Sequence, residues 1–254
     1  MKALSLIQPY ATLILLGYKQ YETRSWSTKH RGTLAIHASA GKKAWARKVC
    51  QEDMHIRQIL SAHDLTFDTL PRAALLGICQ VNHMLKICAP GAAEAEHEIE
   101  ASNLRPVEVA CGDYTPGRWA WALDKVLELP EPISQKGALS IWEVPTEVEE
   151  AIKAQARAVS DASWEVLKSI CTAANAGNYA ALTEQTTQNL PKLDYNHFEA
   201  VLEATELTSE FVGTHRSFLE SVSREIARRD VKLYSFRSGI RLEVLRTHLA
   251  DLAA

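Results

Sequence analysis

The spacing of apolar residues divides the chain into two regions. Up to about Pro145, short apolar stretches are broken repeatedly by Gly and Pro, and beyond it that punctuation becomes sparse. In the first region Pro9 suits the opening turn of a helix carrying Leu13, Ile14 and Leu16, and Gly17 is its stop because glycine tolerates positive φ. Tyr21 to Trp26 then alternates, with Glu22, Arg24 and Trp26 on one face and Tyr21, Thr23 and Ser25 on the other. Thr33 to Ala38 predicts a strand with Leu34, Ile36 and Ala38 facing one way and His37 the other. Ser39 is the expected N-cap of a helix carrying Trp45, Val49, Ile56, Ile59 and Leu60. Further strands are expected at Leu75 to Leu85, at Arg118 to Leu123 (Trp119, Trp121 and Leu123 opposite Arg118), and at Leu139 to Val144 after a Lys136-Gly137 turn. Short strands with two small helices between them predict an α+β fold, a compact and partly closed mixed β-barrel.

Thr146-Glu147-Val148-Glu149 has the form of a capping box. It opens a helical pattern through Val148, Ile152, Val159, Val166 and Ile170, with Gly177 as its stop. More helical patterning lies between Tyr195 and Arg229, and Val231 to Phe236 alternates like a short strand. The expected organisation is a barrel domain over residues 1–145 and a mainly α-helical region over 146–254.

With 254 residues, 46% of them apolar, the chain has ample material for a core, as in a soluble globular protein. The apolar run from Ala11 to Leu16 falls far short of the ~20 residues of a membrane span and lacks a signal-peptide cleavage pattern, so a cytoplasmic protein is expected. Five scattered cysteines form no Cys-x-x-Cys pair and nine histidines no metal-binding spacing, which predicts buried reduced thiols and no dedicated metal site.

Charge changes the picture locally. The protein carries a formal net charge of −3, yet residues 1–48 hold nine Lys or Arg against one acid, Glu22. Such a field is a docking surface for phosphates. From residue 150 onward, twelve basic residues meet fourteen acidic ones, so no general basic face is expected there.

Within the basic segment Lys19 can neutralise phosphate or, if desolvated beside Arg24, move protons. Glu22 can orient those cations, act as a base toward a ribose 2′-hydroxyl or water, or form a plain ion pair with Arg24. Arg24, Arg31 and Arg118 are candidate phosphate forks, since the planar guanidinium matches two phosphate oxygens at once. Tyr10, Trp26 and Tyr114 are the candidate base-stacking aromatics. Trp119, Trp121 and Trp142 belong to alternating apolar strands and are expected in the core. His37 can line the cleft or be a hydrogen-bonded structural histidine.

Gly17, Lys19, Glu22 and Arg24 reproduce the Gly-x-Lys-x-x-Glu-x-Arg pattern of the ASCH domain, and on this basis the chain resembles that family of PUA-like β-barrels. The flanks Ala3 to Ala11, Ser25-Trp26 through Arg31-Gly32 and Ile36 to Ser39 are similar to one bacterial ASCH subgroup. So are Gly112 to Trp121 and Lys136 to Leu139 with Trp142. The resemblance covers residues 1–145 and implies an RNA- or nucleotide-binding module whose Gln8 could read a base edge. It also allows a metal-independent ribonuclease with Lys19, Glu22 and Arg24 as catalytic residues. A third implied activity, removal of an acyl group from a modified nucleoside, uses Lys19 with a Thr and a later-strand Glu. Here Glu22 stands in place of the Thr, and Gly77 to Leu85 offers Gln80 and Asn82 but no carboxylate. No cofactor is indicated, and the implied partner is RNA or a nucleotide.

Overall fold

The computed structural model describes residues 1–93 and 96–158. The chain divides after Arg157, and the first unit, Met1–Arg157, holds all the elements described below. The patterns anticipated between residues 159 and 254 lie outside the described residues.

Seven strands form one mixed sheet: β1 (Lys2–Leu6), β2 (Tyr21–Arg24), β3 (Gly32–Ala38), β4 (Ala74–Cys88), β5 (Glu98–Glu100), β6 (Trp119–Ser134) and β7 (Ile141–Glu143). Their order is β2-β6-β4-β3-β1-β7, with β5 added to β4. Only β1–β3 and β4–β5 are parallel. The long central strands β4 and β6 shift register several times along their pairing, and such bulges bend and twist a sheet. The sheet therefore curls until its two ends share one core. Trp26, just beyond β2, and Ile141 of β7 both pack on a cluster that includes Leu4, Leu6, Leu34, Ile36, Val81, Trp121 and Leu123.

Helix α1 (Tyr10–Leu15) is buried along most of its length because it plugs this curl. Its fit depends on Gly77 of β4, where a Cβ would fall on the Leu15 side chain and 2.5 Å from the Leu127 carbonyl oxygen. The opposite face of the sheet is covered by a helix over residues 146–157, α5, whose Val148 and Ile152 pack with Ala3, Ala35, Leu75 and Leu129. That segment accordingly lies within the first unit.

The stretch expected to be one helix capped by Ser39 is two. Helices α2 (Ala44–Glu52) and α3 (Met54–Ala62) are separated at Asp53, whose carboxylate caps α3 by accepting from the Ile56 N–H. Ser39 caps neither, and its hydroxyl is buried without a partner. The strand anticipated at 118–123 continues to Ser134, while β5 and the short helix α4 (Pro106–Ala110) had no counterpart in the spacing. Cys50, Cys79 and Cys111 are buried free thiols. Burial pushes Cys50 up to about 11 and Cys79 and Cys111 up to about 12, so all three stay protonated.

Candidate functional site

The site begins at the end of α1. Gly17 takes φ +70°, which folds the chain back so that the N–H groups of both Tyr18 and Lys19 donate to the Leu13 carbonyl. Two residues on, the N–H groups of Gln20 and Tyr21 donate to the buried Glu108 carboxylate of α4, at 2.7 and 3.2 Å. Lys19 is thus clamped from both sides before β2 starts.

Lys19 is 2% exposed. Its ammonium donates to the Tyr21 carbonyl at 2.6 Å and lies 3.3 Å from Glu22 Oε2. Antiparallel pairing sets Glu22 opposite Trp121 and Arg24 opposite Trp119, so strand alternation turns both charges toward the same side of the sheet. There Arg24 Nε approaches Glu22 Oε1 at 2.8 Å, and one of its terminal nitrogens donates to the Ser5 carbonyl at 3.3 Å. The Nε contact is an ion pair without an aligned hydrogen bond, since the Nε–H has no accepting partner. The result is a chain of charge, Lys19–Glu22–Arg24, in which two cations share one carboxylate. Lys19 and Glu22 are buried, and the Arg24 side chain is the member that reaches solvent.

The Lys19 ammonium also faces the Tyr10 ring, 5.8 Å from its centroid. Burial above all, with the nearby Asp53 and Glu22 carboxylates adding to it, pushes the Tyr10 hydroxyl up to about 12, so it remains a neutral phenol. Tyr10 in turn stacks on Trp45 of α2. Trp45, half exposed, was not among the residues singled out from the sequence, and its helical spacing had grouped it with apolar positions of that helix.

The other anticipated residues are placed differently. Gln8 is wholly buried, donating to Thr12 Oγ1 and the Pro71 carbonyl and accepting from the Thr12 N–H, so its amide is spent inside the protein. Tyr114 is a core residue whose hydroxyl donates to Glu108 at 2.8 Å. Trp26 packs edge to face on Trp121, centroids 4.8 Å apart, and accepts the Trp121 indole N–H on its carbonyl. Arg118 is held by Asp113, through its carbonyl at 3.1 Å and its carboxylate at 3.3 Å. Arg31 is exposed, with its guanidinium folded onto the Thr28 and His30 carbonyls. Each of the three arginines has its own partners, and only Arg24 belongs to the triad. His37 is structural: it contacts Ser5 Oγ at 3.1 Å and the Gln135 carbonyl at 2.9 Å, and burial pushes its imidazole below the usual histidine range.

Two further carboxylates, Glu108 and Asp53, add to burial in raising the Cys111 thiol, while Lys19 works against them. Both are occupied by backbone N–H groups. Among the described residues no cluster of three or more His, Cys, Asp and Glu could hold a metal ion, and no helix is long and apolar enough to cross a membrane.

The first unit is similar to known proteins over most of its length. A sequence profile of the ASCH domain matches residues 4–162. Over 75 residues the chain is 40% identical to activating signal cointegrator 1 of Mus musculus and, likewise over 75, 41% identical to that of Homo sapiens. The match takes in 29% of this chain and only 13% of either relative's length.

Proposed function

This chain belongs to the ASCH domain family, and we propose that it binds RNA or a nucleotide through the phosphate, at the solvent-reaching Arg24 end of the Lys19–Glu22–Arg24 triad. The observation that carries the reading is the charge imbalance. One carboxylate between two cations leaves a positive excess in a largely dehydrated place, where attraction to an anion is screened less than at an open surface. The Arg24 side chain supports it, because its Nε faces Glu22 while about a quarter of the side chain stays open to solvent, where a guanidinium can meet a phosphate. Arg31, exposed and without a carboxylate partner among the described residues, adds a second phosphate contact.

Binding is favoured over cleavage by the state of Glu22. Glu22 is buried, and each of its oxygens lies against a cation, which leaves little of the carboxylate open to a ribose hydroxyl. Deacylation of a modified nucleoside is less supported still, since Glu108 and Asp53 are both tied to backbone N–H groups.

The test is binding of labelled single-stranded RNA across a salt series, in chelator, with cleavage followed in the same samples. Arg24→Gln and Arg31→Gln should each weaken binding and reduce the slope of log affinity against log salt by about 0.7, one single-strand phosphate contact. Affinity and slope unchanged in both variants would sink the reading, whereas cleavage lost in Glu22→Gln would replace it with the ribonuclease.

A further inference from the structure

Trp45 is an expensive residue to leave where it stands. It is 50% exposed at the second position of α2, while Ala46 beside it is fully buried. Its indole lies on the Tyr10 ring, centroids 6.3 Å apart and planes 28° from parallel. Tyr10 faces the Lys19 ammonium. One file of groups therefore runs from an open indole face, through a half-buried phenol, to the triad.

The surroundings of the indole select its ligand. The exposed residues next to it are Ala44 of α2 and Lys43, which precedes the helix at its N-cap, and Lys48 follows three positions later on the same side of the helix. No other large apolar residue of this helix is exposed, as a greasy peptide or an acyl chain would need. Lys48 is only loosely paired with Glu52, at 3.6 Å, and Lys43 has no carboxylate within ion-pair distance among the described residues. An exposed apolar ring with a lysine two positions before it and another three positions after it fits a flat ring that carries negative charge beside it.

We propose that Trp45, backed by Tyr10, is a stacking platform for an unpaired nucleobase, with Lys43 and Lys48 on the flanking phosphates. The proposal rests on the RNA-binding reading above and narrows it to single-stranded RNA, because a base stacked in a duplex cannot lie on the indole.

The experiment compares full-length wild type, Trp45→Ala and Trp45→Phe on labelled oligoadenylate and on an RNA duplex of the same length, over a salt series. Trp45→Ala should weaken single-strand binding about tenfold, leave its salt slope unchanged and leave duplex binding alone. Trp45→Phe should keep most of the affinity, while the quenching of tryptophan emission by RNA shrinks in both variants. Because Trp45 is half exposed, both variants should melt with wild type, which separates lost contact from lost fold. Single-strand affinity unchanged in Trp45→Ala, or an equal loss on the duplex, overturns the platform while leaving the Arg24 reading intact. Wild type that retains neither RNA overturns both.

Discussion

Replacing Glu22 by Gln tests the triad most directly, because it removes the shared anion while keeping its shape. At an effective dielectric of about 20, the separations of 3.3 Å to Lys19 and 2.8 Å to Arg24 correspond to gross attractions of about 5 and about 6 kcal/mol. Dehydration of the ions offsets most of that in the native protein. The substitution leaves the dehydration in place and removes the attraction: Lys19 stays buried with the Tyr21 carbonyl as its remaining partner, beside a second cation. The expected loss of stability is about 3–5 kcal/mol, the usual range when one partner of a buried pair is deleted. Denaturant unfolding followed by tryptophan emission reads it well, since Trp26, Trp45, Trp119, Trp121 and Trp142 lie in the first unit and one further tryptophan lies beyond it. In the Glu22→Gln background, Lys19→Met should recover part of the loss by removing a stranded cation. A shift worth less than about 1 kcal/mol at unchanged m-value, or a second substitution that only adds to the damage, would refute the claim that the carboxylate holds two buried cations.

Two further predictions concern the frame of the site. Gly77→Ala should destabilise by about 1–3 kcal/mol or more, since the new methyl meets the fixed Leu127 carbonyl, and the loss should appear as a lower unfolding midpoint; a wild-type midpoint would mean that β4 and β6 are not so close. His37 has its imidazole pushed down by burial from the ordinary 6.5, so on acidification the unfolded chain takes up the proton first. Stability is then full above about pH 6.5 and falls as pH drops below it. His37→Gln should be less stable at neutral pH yet flatter across this window, and equal slopes in denaturant midpoint against pH would exclude the histidine as the cause.

Local pattern alone determined the elements whose apolar faces repeat within a few residues. The turn at Gly17, the alternation of Glu22 and Arg24, and the strand through Leu34, Ile36 and Ala38 stand as read, because periodicity and a glycine at positive φ are properties of neighbours in sequence. By contrast, α1 stops at Leu15 and β2 at Arg24, short of the expected Leu16 and Trp26. The Gly-x-Lys-x-x-Glu-x-Arg spacing likewise marked where charge would collect. Elements stabilised from outside were not legible. β6 runs on past Pro130 and Pro132 because β4 pairs with it on both sides of them, at Glu128 and again at Ile133 and Ser134, and β5 exists as an added edge on β4. The fate of the charges was also a tertiary matter. A lysine after a helix reads as a surface residue until the Leu13 carbonyl, Glu108 and the curled sheet enclose it, and Gln8 and Tyr114 read as ligands until Pro71 and Glu108 take their polar atoms. Trp45 went the other way, left half in water while Ala46 beside it on the same helix is fully buried. Sequence spacing specifies which side of its own element a residue occupies. Whether that side meets solvent, a carboxylate or a core depends on residues tens of positions away, and those contacts made a buried triad out of a basic segment.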